Sequence, residues 1–196
     1  MFAYYFKMKN KKNIVINTVP YRMNIITVPM KPTLFYFLLF TVFITMSSCS
    51  SDSAAQPTDA KQSTFIDENY VYSALELEEL KLINEYRASI GLNTLEKINF
   101  ISNRAEEHDN YMISKNTISH DGFVARAENI VKVVGAKSVS ENLAYNFDTA
   151  KEALTAWLNS PTHKETIEGN FTHFGIAIRA NPATGKKYYT NIFVKI

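Results

Sequence analysis

Between Ser73 and Ser160 the apolar residues recur every three or four positions, and from Phe174 onward they recur every second one. A chain that changes period in this way lays down amphipathic helices first and closes with strands, which places it in the α+β class. The helices carry their own punctuation. Ser73 with Glu76, and Thr149 with Glu152, have the spacing of capping boxes. Leu77, Leu80, Ile83, Tyr86 and Ile90 form one stripe that ends at Gly91. A second helix is expected from about Asn99 to Ser114, with His108 on its apolar side as a hydrogen-bonded core residue. A third is expected from Phe123 to Val134, stopped by Gly135, and Ser160-Pro161 opens a further turn as N-cap and first helical residue. Phe174, Ile176 and Ile178, then Tyr188, Thr190, Ile192, Val194 and Ile196, alternate on either side of Asn181-Pro182-Ala183-Thr184-Gly185, which predicts an antiparallel hairpin.

The N-terminal part reads differently. Leu34 to Ile44 is a short, almost wholly apolar run, preceded by Lys31 and followed by Met46-Ser47-Ser48-Cys49. That order of basic flank, apolar run and small residues is an export signal, and the run is little over half the roughly 20 residues that a membrane-spanning helix needs. The single cysteine stands where a bacterial lipobox places its lipidated residue. Residues 1–48 are therefore expected to be a signal peptide, with 1–29 a candidate misplaced start, and Cys49 the lipidated N-terminus that binds the membrane. Residues 49–70 read as that anchor and a flexible tether, and 71–196 as the folded domain, lipid-anchored and facing the periplasm or cell exterior. With Cys49 committed to lipid, the domain has no disulfide and no thiolate metal ligand.

Charge narrows the choice of partner. Six of the 21 basic residues and none of the 19 acidic ones precede Cys49, which leaves fifteen against nineteen, a net of −4, for the remainder. Without a basic stripe, nucleic-acid binding is not expected.

Four polar segments stand out: Ser119-His120-Asp121-Gly122, Ser140-Glu141-Asn142-Leu143-Ala144, Ser160-Pro161-Thr162-His163 and Thr172-His173-Phe174-Gly175. They are expected to form one cleft from His120, Glu141, His163 and His173, with Asn142 and Ser160 as neutral hydrogen-bonding groups. Two imidazoles and a carboxylate are the minimum for an open metal site, so zinc or magnesium is one reading of His120, Glu141 and a second histidine; a hydrogen-bonded cluster is the other. No local His-Glu-x-x-His motif is present, so convergence has to come from the fold. His163, in a first helical turn, is expected to be neutral at pH 7. Ser119 adjoins His120, but adjacent residues rarely face one another for proton transfer and no Gly-x-Ser-x-Gly elbow occurs. Glu141 as a general base, or with Asp121 as a carboxylate pair, would make a hydrolase. The aromatic residues Phe171, Phe174, Tyr188, Tyr189 and Phe193 either fill the core or line an apolar ligand groove.

From Leu75 to Ile196 the order of motifs resembles the CAP superfamily (cysteine-rich secretory, antigen 5 and pathogenesis-related 1 proteins), in its bacterial SCP-like branch. The residues that carry the likeness are Asn84-Glu85-Tyr86-Arg87 with Gly91-Leu92 and Leu95, Ser119-His120, Glu141-Asn142-Leu143-Ala144, Trp157, Ser160-Pro161-Thr162-His163-Lys164 and His173-Phe174-Gly175-Ile176. The resemblance implies a three-layer α-β-α sandwich with an antiparallel central sheet. It also implies a cleft of two His and two Glu, proposed in some members to hold a divalent metal. His120 and Glu141 match that set, and its second histidine is matched by His173, with His163 as the alternative; the second acidic position, three after the Trp, is Ser160 here. The function expected is a binding module for a small molecule, lipid, protein or metal, with hydrolysis in the cell envelope and a purely structural role as alternatives.

Overall fold

The computed structural model describes residues 69–196 and the backbone of two short strands before them. These all belong to one compact unit; Cys49, the apolar run at 34–44 and the tether up to residue 68 lie outside the described residues. In chain order the elements are β1 (Tyr4–Met8), β2 (Ile14–Thr18), α1 (Ala74–Ser89), β3 (Glu96–Lys97), α2 (Asn99–Lys115), α3 (Phe123–Val134), β4 (Ser138–Tyr145), α4 (Ala150–Leu158), α5 (Pro161–Ile167), β5 (His173–Ala180) and β6 (Lys187–Lys195). Both capping boxes form as their spacing requires, and Gly135 ends α3 in the left-handed conformation.

The sheet runs β2-β1-β4-β6-β5-β3. Every pairing is antiparallel except the two-residue bridge of β3 to β5. One face packs against α2 and α3 through Phe100, Ile101, Ala105, Phe123, Ala127, Ile130 and Ile192. The other packs against α1, α4 and α5 through Ile83, Trp157, Ile167, Phe174, Ile176 and Phe193. The fold is thus an α-β-α sandwich, and among the described residues the buried apolar core runs from Tyr70 to Val194. Phe171, Phe174, Tyr188, Tyr189 and Phe193 are all buried in that core, so they line no groove. Among the described residues no helix is long and apolar enough to cross a membrane.

Three strands, β1, β2 and β4, differ from the sequence expectation. The antiparallel pair β1-β2 arises in the stretch read as a leader, where Tyr4, Phe6 and Met8 and then Ile14 and Ile16 recur at every second position. β4 carries no alternation because both of its faces are covered and every residue from Ser138 to Ala144 is buried.

Several polar residues of the motifs prove to be scaffold. Arg87, fully buried on α1, donates from Nε to the Asn93 carbonyl (2.8 Å) and from Nη1 to those of Ile167 (2.6 Å) and Gly169 (3.0 Å). Asn84 exchanges two hydrogen bonds with the backbone of Leu95, and Trp157 Nε1 donates to the Leu143 carbonyl. Glu76 accepts from Tyr70, Arg179 and the Ile178 amide, tying the start of α1 to β5.

Glu79 has no such compensation. It is fully buried, neither carboxyl oxygen has a partner, and burial, helped by the neighbouring Glu78 charge, pushes its pKa up to about 9. A carboxyl whose folded pKa is raised stabilises the fold least at high pH: stability is fully present below the unfolded pKa and falls as pH rises toward the folded value. Glu79→Gln is therefore expected to stabilise the domain by about 2–3 kcal/mol at pH 7, and by little near pH 4. Denaturant titrations at the two pH values check this; an equal effect at both contradicts it.

Candidate functional site

The site is built where α2 gives way to α3 beside strand β4. Lys115 ends α2, and Asn116 takes a left-handed conformation (φ 47°), which Asn tolerates and which turns the chain out of the helix. After the loop that carries His120, Gly122 adopts φ 70°, a value for which glycine has no Cβ penalty, and starts α3. That geometry hangs His120 from the loop and Arg126 from the first turns of α3 over Glu141 of β4.

Glu141 is fully buried, and both of its oxygens are committed. Arg126 approaches as a fork, Nε donating to Oε2 at 2.8 Å and Nη2 to Oε1 at 2.9 Å, with Nη2 also 2.6 Å from Oε2, a two-point charged contact on the carboxylate. His120 donates from Nδ1 to Oε1 at 2.8 Å. Burial alone would raise the Glu141 pKa, but the Arg126 charge and the His120 hydrogen bond outweigh it and hold the carboxyl below its ordinary value. Because a carboxylate can only accept, neutral His120 carries its proton on Nδ1 and its lone pair on Nε2. His108, buried on α2, lies 3.9 Å from the same oxygen but donates from Nε2 to the Ser119 carbonyl at 2.8 Å. Burial pushes its pKa down to about 4, so it adds no charge near neutrality.

Beside this ion pair a pocket of about 430 Å³ opens between α2 and α3. Its walls carry both signs of charge: Arg104 and Arg126, Glu107 and Asp121, with His108, Tyr111 and Asn129 among them. Tyr111 donates to Asp121 Oδ2 at 3.0 Å, and Arg126 Nη1 reaches the Asp121 carbonyl at 3.3 Å.

The remaining candidates divide. His163 and Asn142 meet on the opposite face of β4: Asn142 Nδ2 donates to the His163 carbonyl at 3.0 Å. His163 Nδ1 lies 2.7 Å from Ser160 Oγ, so the hydroxyl that was expected to cap α5 is turned to the imidazole instead. Burial drives the His163 pKa down to about 4. The helix dipole is thus not the main cause of its neutrality. A ¹⁵N-detected NMR titration should find the His163 ring neutral from pH 7 to below pH 5; a ring protonated at pH 7 contradicts its burial.

His173 does not join Glu141. It stands opposite Val194, which stands opposite Val139, so β5 is two strands from β4, about 10 Å in the plane of the sheet. Its ring meets Thr172 Oγ1 at 2.9 Å and Glu96 at 3.9 Å. The set His120, Glu141 and His173 is therefore not assembled, and among the described residues no group of three or more His, Cys, Asp or Glu side chains is placed to hold a metal. Nor does zinc or magnesium fit at Glu141 itself, since the Arg126 guanidinium occupies the position from which a cation would bind the carboxylate.

Arg126 did not stand out in the sequence. A signal existed: a basic side chain near a helix N-terminus opposes the macrodipole, and such a placement asks for an anionic partner.

The sequence model of the cysteine-rich secretory protein (CAP) family matches residues 80–194. Two curated relatives come from Bacillus subtilis: the uncharacterized membrane protein YlbC, 29% identical over 64% of this chain, and the uncharacterized protein YkwD, 30% identical over 63%. The matches span only 36% and 50% of those two proteins. Among solved structures, an extracellular SCP-domain protein of Bacillus anthracis is 26% identical, with TM-score 0.54 over 62% of this chain and 40% of its own. An outer surface protein of Borrelia burgdorferi, at 24% identity and TM-score 0.51, covers 60% of this chain and 92% of its own and shares the fold. The sandwich, the order of its motifs and the family match agree, and the chain is a member of the CAP family.

Proposed function

We propose that this protein is a lipid-anchored, extracytoplasmic CAP domain that binds a small polar molecule in the pocket between α2 and α3. One observation carries the reading: Arg126, locked into a fork with buried Glu141, also lines a pocket whose other walls offer both cations and carboxylates. A guanidinium fixed in this way presents its remaining donors without losing side-chain entropy on binding. A ligand that both donates and accepts, such as an amino sugar or a short peptide, suits such walls; a sterol or acyl chain does not, because four charged residues line them and Phe171, Phe174, Tyr188, Tyr189 and Phe193 are spent in the core.

Catalysis is the weaker reading. Glu141 is held ionised below the usual carboxylate range, which makes it a poor base. The Ser160-His163 pair is no better, since the buried imidazole resists the proton it would have to take from the hydroxyl. The export signal before Cys49 and the extracellular and outer-surface relatives support the location.

The test is an NMR titration of the ¹⁵N-labelled chain from residue 49, made soluble by Cys49→Ser, with glycylglycine, N-acetylglucosamine, lipid micelles and zinc as separate probes. Saturable shifts at the amides of 121–126 with a polar probe, weakened in Tyr111→Phe, are expected. Shifts with micelles alone, or with none of the probes, would overturn the reading. Palmitate labelling of the native chain is expected to be lost in Cys49→Ala; labelling that persists there would refute Cys49 as the lipidated residue.

A further inference from the structure

We propose that the outer edge of β4 is a strand-acceptor site, which takes an extended peptide segment of a partner protein antiparallel to Ser138–Glu141, next to the Glu141 ion pair. On its inner side β4 is paired with β6 over all eight residues, Ser138 to Tyr145, without a bulge. Its outer backbone groups need a partner of their own. In the full chain β1 provides it, with Tyr4 opposite Glu141, Tyr5 opposite Ser140, Phe6 opposite Val139 and Lys7 opposite Ser138. The proposal rests on the export reading, because β1 lies within residues 1–48 and leaves with the leader.

Proteins that keep an open edge usually blunt it with proline, lysine, a bulge or an exposed charge. β4 has none of these: its sequence is Ser-Val-Ser-Glu-Asn-Leu-Ala-Tyr, and its single charge, Glu141, is buried and neutralised by Arg126. The other end of the sheet is the two-residue β3, too short to act as a template. Register specifies the occupant. It runs antiparallel over about four residues, contains no proline, and carries aromatic or apolar residues at the alternate positions opposite Glu141 and Val139, where β1 has Tyr4 and Phe6.

The experiment uses the full chain, the Cys49→Ser chain from residue 49, and a synthetic peptide of residues 2–20. In the shorter chain, outward amides within Ser138–Glu141 should exchange with solvent at least about tenfold faster than in the full chain. Adding the peptide should restore protection and shift those amides saturably, and N-methylation of the peptide amides that face β4 should abolish both effects. No shift at Ser138–Glu141 would overturn the proposal, as would protection kept by edge-to-edge dimers, which sedimentation detects. The mass of the exported protein tests the leader separately. If residues 1–48 remain attached the export reading fails, whatever the peptide does.

Discussion

Replacing Arg126 with Met should lower stability by about 3–5 kcal/mol at pH 7, because it leaves a fully buried carboxylate without its main cation. For a domain of this size that is a fall of about 10–20 °C in Tm. The pH dependence separates this mechanism from loss of packing. In the native protein the Glu141 pKa is lowered in the fold, so its contribution is present above the unfolded pKa and lost as pH falls through the folded one. In Arg126→Met, burial dominates and raises that pKa, so stability should be greatest at low pH and fall as pH rises. The gap between variant and native protein should therefore narrow toward pH 4. Adding Glu141→Leu to Arg126→Met should restore most of the loss at pH 7, since an apolar pair leaves no charge to solvate. A variant within about 1 kcal/mol of native at pH 7, or a gap that ignores pH, would show that Glu141 does not depend on the fork.

Gly175→Val should prevent folding at physiological temperature. A Cβ built on Gly175 falls 2.5 Å from the backbone of Ile101 and Ser102 in α2, where no flexible side chain can yield. Relieving the clash means lifting α2 off β5. That would also break the bond in which Ser102 Oγ accepts from the Ile176 amide at 3.1 Å. A cost above about 4 kcal/mol is expected, in the range that unfolds marginal domains. Gly185→Ala is the control. It has open space around it and only its positive φ of 71° to oppose a side chain, so it should cost about 1 kcal/mol. A soluble Gly175→Val protein with a Tm within a few degrees of native would refute the close approach of helix and strand.

Gly175 and Arg126 mark the two sides of what could be read from the sequence. Gly175 stands in a motif that implied the fold, and the helices α1, α3 and α4 announce themselves through caps and glycine stops, which are local and survive in one dimension. β4 does not, because a strand buried on both faces loses its alternation, and its Ser, Glu and Asn resemble a loop. β1 and β2 are hidden in a stretch whose composition points to a leader. His120 and Glu141 are brought together as the resemblance implied, at 2.8 Å. The choice between His163 and His173 could not be made from spacing, since it depends on strand order: one lies beneath β4 and the other two strands away. Arg126 is invisible to motif reading because the match to the family's acidic and histidine positions draws attention to ligands rather than to what neutralises them.

Glu141 is one half of a buried ion pair beside a polar pocket. The decisive measurement is calorimetric titration of zinc into the metal-stripped chain from residue 49, as Cys49→Ser, beside His120→Ala and Glu141→Gln. No saturable heat that depends on either residue is expected, because Arg126 already holds both carboxylate oxygens. One-to-one zinc binding in the parent chain that is lost in both variants would contradict the ion-pair assignment.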